Sequence, residues 1–230
     1  MKVLWLLLKK DFSRELRTRA LASSMLIFAL VVVVVLSLVV QPGETGSATG
    51  RTTASAYLWL SFFFAAVLGL ARSFAQEGEL GAWRGLLLTP VPRETLYLSK
   101  VASSGLFVLA LEVVILPVFL VLYQPVSRDA SLWWLTAGLA ATAVLATVGL
   151  VAVGVLFTVL ASGTAAREAL LAGLVLPVVS PVLLAAVRVT AEVCAGSGWA
   201  GLWRWWALLA GFDLVFLALG ALLFQFAVEE

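Results

Sequence analysis

From Leu132 to Leu160 the chain runs without one charged residue. A helix crossing a bilayer needs roughly 20 mostly apolar residues, so this stretch is more than long enough for a tilted or protruding span. Cutting the rest of the sequence at its charges and its Gly/Pro/Ser-rich punctuation leaves five more such segments. They are about 20–40, 54–71, 101–123, 169–187 and 205–228, besides 132–160. The first ends at "QPGETGSATG", too polar and glycine-rich to continue in hydrocarbon. Of the 230 residues, 63% are hydrophobic and 12% charged. A water-soluble domain of this length has no single core able to hide so much apolar sequence. The expected fold is an all-α integral membrane protein: a single transmembrane domain over 1–230 with six transmembrane helices.

Lysine and arginine counts in alternate loops give the expected orientation. Lys2, Lys9, Lys10, Arg14, Arg17, Arg19, Arg72, Arg84, Arg93, Lys100 and Arg167 fall on one side, and Arg51, Arg128, Arg188 and Arg204 on the other. Eleven against four places both termini in the cytoplasm. The first span reads as an uncleaved anchor, because its apolar run exceeds a signal h-region and a long charged segment precedes it. Within residues 1–19, Trp5, Leu8, Phe12 and Leu16 form one apolar stripe with basic residues largely away from it. That pattern predicts an interfacial amphipathic helix, either a plain topology anchor or a lever joined to the first span. Tyr57, Trp59, Tyr123, Trp133 and Trp134 fall near span ends, where interfacial aromatics are expected.

The absence of histidine removes His-based general bases, His-dependent nucleophiles and imidazole metal or haem ligands. The lone Cys194 removes internal disulfides and CxxC motifs. No GxxxxGK[ST] phosphate loop is present, so the chain does not bind ATP in that manner. Nucleic acid is not an expected partner; the lipid bilayer is.

Two carboxylates lie inside spans, Glu112 in the third and Asp213 in the sixth, with no intramembrane Lys or Arg to pair with either. A carboxylate at bilayer centre costs about 2.5–3.5 kcal/mol on the lenient insertion scale. Each should therefore face protein or water, as a neutral carboxyl bonded to a neighbour or as a proton-coupled site or gate. Gly138, Thr142, Ala146 and Gly154 form a small-residue stripe that predicts close helix packing. Pro177 and Pro181 should kink or interrupt the fifth span. Trp199, Trp203, Trp205 and Trp206 crowd the outer segment, read as a re-entrant or interfacial helix rather than a haem platform, since no histidine exists to ligate iron.

The segment 72–100 is the only long inner loop in the interior of the chain. Within it Glu77, Glu79, Trp83, Leu86 and Leu87 suit a short helix ending at Thr89-Pro90, and Glu94 to Lys100 forms a second amphipathic run. Such a helix either rests on lipid or docks in a groove of a cytoplasmic partner. The string "FAQEGELGAWRGLLLTP" resembles the signature of the membrane subunits of type-2 ABC exporters, in particular the haem exporter protein B (CcmB) family of bacterial cytochrome c maturation. The basic "KKDFSRELRTRALA", the "RSF" after the second span and the two prolines of "REALLAGLVLPVVSPVLLAAV" agree with that family. The chain departs from it at Leu80 and Arg84, where acidic residues are usual, and in its last span.

The resemblance implies a non-catalytic permease subunit of the bacterial inner membrane, paired with a separate cytoplasmic ATPase and with a second copy of itself. It also implies haem-handling membrane subunits as partners, ATP bound only by the ATPase, and haem as cargo rather than as a bound cofactor. Glu77, Glu79, Gly81, Trp83, Arg84, Leu86, Leu87 and Pro90 are the positions that it assigns to the ATPase-coupling helix. Two other functions fit the residues less closely: a type-2 permease exporting a drug, lipid or polysaccharide, and an intramembrane enzyme.

Overall fold

A computed structural model of the chain describes residues 6, 8, 10, 20–40, 44–79, 91–127, 130–160 and 167–227. Six long helices follow one another: α1 (Ala20–Ser37), α2 (Ala48–Glu79), α3 (Arg93–Tyr123), α4 (Leu132–Leu160), α5 (Arg167–Ala195) and α6 (Trp199–Ala227). One 3-10 turn, Glu44–Gly46, precedes α2, and there is no strand among the described residues. Within α2 to α6 lie five stretches long and apolar enough to cross a membrane, and Ala22–Ser37 of α1 is a shorter apolar helix.

α2 and α4 form the centre. α2 packs against α1, α3, α4 and α5, and α4 packs against α2, α3, α5 and α6. The apolar windows of these two helices are each 72% buried, against 28% for α3 and 22% for α6. α4 can be surrounded because it is built from small residues at the contacts. At Gly138 a Cβ would lie 2.7 Å from Val193 of α5, and at Gly154 it would collide with the Leu70 side chain of α2. The small-residue stripe is therefore a packing device, but it serves several neighbours instead of one. Thr142 and Thr158 stay compatible with this crowded helix by donating their hydroxyls to the carbonyls of Gly138 and Gly154, at 2.7 and 2.6 Å.

Helix ends depart from the apolar boundaries because polar residues satisfy themselves locally. α2 begins ahead of the expected residue 54: the Ser47 hydroxyl accepts from the Gly50 N–H at 3.0 Å, an N-cap, and Thr52 donates to the Ala48 carbonyl at 2.9 Å. At the other end α2 continues to Glu79, and α3 starts at Arg93, so much of the expected 72–100 loop extends the two spans. Glu77 and Glu79 thus close α2 instead of opening a separate helix, and Lys100, counted above with the loop charges, is buried on α3.

Three further expectations need correction. Trp59 and Tyr123 are not interfacial anchors: both are buried, Trp59 Nε1 donating to Thr190 Oγ1 at 2.9 Å and the Tyr123 hydroxyl to the Val33 carbonyl at 3.0 Å. Of the two outcomes expected at Pro177 and Pro181, kink or interruption, the interruption does not occur: α5 runs unbroken through both. Pro181 has no N–H for the Pro177 carbonyl, and the Ser180 hydroxyl donates to it instead at 2.8 Å. Lastly, the tryptophan-rich segment is not a re-entrant helix. α5 runs on to Ala195 with Arg188 and Glu192 exposed and Val189, Val193 and Cys194 buried, and α6 starts at Trp199. The turn between them places Gly196 at φ 80, where a Cβ would come 3.4 Å from the Ala130 backbone.

Candidate functional site

Several polar groups inside the bundle, both buried carboxyls among them, meet α4. Glu112 of α3 is 1% exposed, and its Oε1 accepts a hydrogen bond from Thr147 Oγ1 at 2.8 Å. Its Oε2 is buried and has no hydrogen-bond partner among the described residues. Asp213 of α6 is also buried, and its Oδ1 sits 2.6 Å from where a Cβ on Gly149 would stand. Asp213 Oδ1 likewise lacks a partner among the described residues. Thr147 and Gly149 are two residues apart, which is about 3 Å along the axis and roughly 200° around it. The structure therefore brings both carboxyls to one level of α4, on opposite sides of it.

A second polar tie lies nearer the α2–α3 end. Tyr97, fully buried on α3, directs its hydroxyl to the Ala152 carbonyl of α4 at 3.0 Å and the Phe216 carbonyl of α6 at 3.3 Å. Gly220 makes this approach feasible, since any Cβ there would occupy the space of the Tyr97 hydroxyl. The first turns of α3 are thus fastened to two neighbouring spans. At the opposite end of the bundle, Trp134, Trp199 and Trp206 form a cluster with ring centroids 4.8, 5.3 and 6.5 Å apart. Trp206 Nε1 donates to Thr142 Oγ1 at 3.1 Å, while Trp134 Nε1 is buried without a partner among the described residues. Trp203 is exposed, with the Arg204 guanidinium 5.9 Å from its ring centroid.

These features describe a bundle of long helices with buried polar groups gathered around one central helix, α4. The family model described as CcmB protein matches residues 2–230. The chain belongs to the CcmB family. It is accordingly a multi-pass membrane protein of a family of haem-export ABC transporter components in cytochrome c biogenesis, membrane subunits that work with an ATPase partner. Comparison with the curated proteins finds no match.

Of the positions that the CcmB resemblance assigns to ATPase coupling, Glu77 and Glu79 lie in the last turn of α2. Gly81, Trp83, Arg84, Leu86, Leu87 and Pro90 lie outside the described residues, as do most of residues 1–19. Pro177 and Pro181 are exposed on α5. Among the described residues no group of three or more His, Cys, Asp or Glu side chains could hold a metal ion. Sequence reading singled out Glu112 and Asp213 but not Thr147, Gly149 or Tyr97. Thr147 and Gly149 carry only the weak signal of a hydroxyl and a glycine in an apolar span, and Tyr97 sits among loop-like polar residues in "ETLYLSK".

Proposed function

We propose that this chain is the permease subunit of an ABC complex for cytochrome c biogenesis, with six spans and both termini in the cytoplasm of a bacterial inner membrane. In this reading a separate ATPase drives haem trafficking, or release of the haem-loaded chaperone, by moving the 80–90 segment. The observation that carries it is the family match over residues 2–230. The lengths of α2 and α3 support the coupling part. At 32 and 31 residues they exceed the roughly 20 that a span needs, so both can project beyond the bilayer on the side of the coupling segment. The charge bias supports the orientation, since Arg72, Arg84 and Arg93 all fall in that region.

A push on the segment would pass along two rigid rods. On α3 it meets Tyr97 within about one turn, and through it α4 and α6. Further along α3 it reaches Glu112 and Thr147. The chain supplies a lever and bundle, the ATPase supplies nucleotide chemistry, and the haem iron is held by partners that have the histidines this sequence lacks.

The test is co-purification. With Glu77 to Pro90 replaced by a Gly/Ser sequence of equal length, the cytoplasmic ATPase should no longer copurify with the membrane-inserted chain. Full retention of the ATPase would refute the coupling assignment.

A further inference from the structure

Three spans meet at one hydroxyl. Tyr97, the fifth residue of α3, is fully buried, and its hydroxyl lies 3.0 Å from the Ala152 carbonyl of α4 and 3.3 Å from the Phe216 carbonyl of α6. A phenol has a single proton to donate, so the two carbonyls compete for it. In the arrangement seen Ala152 is the nearer acceptor and Phe216 the farther. Both carbonyls lie inside helices, where the N–H four residues on serves each of them. Handing the proton from one to the other therefore leaves no buried group unmet.

The place of this hydroxyl gives the choice a consequence. Ala152 lies three residues beyond Gly149 and Phe216 three beyond Asp213, so Tyr97 enters the α4–α6 seam about one turn from the point where Asp213 Oδ1 sits against Gly149. Gly220 of α6 leaves the space that the hydroxyl needs, and the ring rests on Phe224 with centroids 5.5 Å apart. Lying between two sites does not by itself make a residue a transmitter. A transmitter needs two discrete arrangements that a displacement can choose between. One proton facing acceptors on two different helices supplies them.

We propose that Tyr97 is a two-position coupling residue: displacement of the first turns of α3 passes its hydroxyl from the Ala152 carbonyl to the Phe216 carbonyl, so that nucleotide state decides whether α3 moves with α4 or with α6. Bonded to α4, α3 carries the helix of Thr147 and Gly149; bonded to α6, it carries Asp213, and the seam between Gly149 and Asp213 shears. This assignment rests on the coupling reading given above and adds to it the residue that divides the motion between spans. Tyr97 acts here as a positioning residue, with no contact to cargo or nucleotide.

The test uses the full chain in its native membranes together with its ATPase. Tyr97→Phe keeps the ring on Phe224 and removes only the hydroxyl. The ATPase should copurify as it does with the unaltered chain and ATP should still be hydrolysed. Covalent haem on c-type cytochromes per ATP hydrolysed should fall about fivefold or more, the low end of a coupling free energy. A purely structural loss would lower the chain, the ATPase and haem attachment together and leave that ratio unchanged. Gly220→Ala, which crowds the hydroxyl from α6 without altering it, should lower the ratio too, and Gly211→Ala, with open space on the same helix, should not. If neither Tyr97→Phe nor Gly220→Ala accumulates, meta-fluorotyrosine at position 97 decides: its fluorine resonance should move between the nucleotide-free complex and the complex held with a non-hydrolysable ATP analogue. An unchanged ratio in both variants, or a fluorine resonance indifferent to nucleotide, would overturn the two-position assignment. Failure of the ATPase to copurify with the unaltered chain would instead overturn the coupling reading, and this assignment with it.

Discussion

Tyr97 shows how much of this bundle depends on single atoms. Its hydroxyl ties α3 to backbone carbonyls on α4 and α6, and Gly220 is the residue that leaves room for it. Tyr97→Phe should cost about 1 kcal/mol, since the carbonyls keep their helical bonds and intramembrane hydrogen bonds are modest. A lowered thermal midpoint of the purified chain in detergent would report it, and an unchanged midpoint would contradict the tie. Gly220→Ala should cost more, about 1–3 kcal/mol, because the added methyl overpacks a site already filled by Tyr97. Gly211 has open space where its Cβ would go, so Gly211→Ala should be close to neutral in the same assay. Neither Tyr97 nor Gly220 was legible from sequence. A tyrosine among polar loop-like residues and a glycine in an apolar run acquire meaning only when two spans bring them together.

At the level of elements, the apolar runs found the helices and the polar residues misplaced their ends. Leu132 to Leu160 is bounded by the same residues as α4 because nothing in it competes with the apolar pattern. α2 outruns its apolar stretch at both ends, since Ser47 and Thr52 satisfy the first turn locally. Trp59 and Tyr123 looked like interfacial anchors because composition does not reveal that Thr190 and the Val33 carbonyl await them inside. The continuity of α2 to Glu79 and of α3 from Arg93 bears directly on coupling. If α2 acts as a rod, four glycines inserted after Glu79 should leave the ATPase bound while haem attachment to c-type cytochromes falls toward the level of a strain lacking the chain. Full haem attachment with the insertion would show that force does not travel through α2.

For the whole molecule, fold class and family were readable because each depends on patterns that survive without coordinates. The fold class follows from charge-free runs, and the family from a local string with a few supporting stretches. The arrangement around α4 was not readable, because both carboxyls find their places through residues on other helices: Thr147 for Glu112 and Gly149 for Asp213. Missing histidine fits the division of labour proposed above, in which this subunit transmits motion and others hold iron. The most direct test is complementation of a native-host strain lacking the chain, reading covalently bound haem in its c-type cytochromes by haem staining. The account predicts that the intact chain restores staining and that a membrane-inserted chain with Glu77 to Pro90 replaced by Gly/Ser does not. Normal staining in the deletion strain, or with the replaced segment, would contradict it.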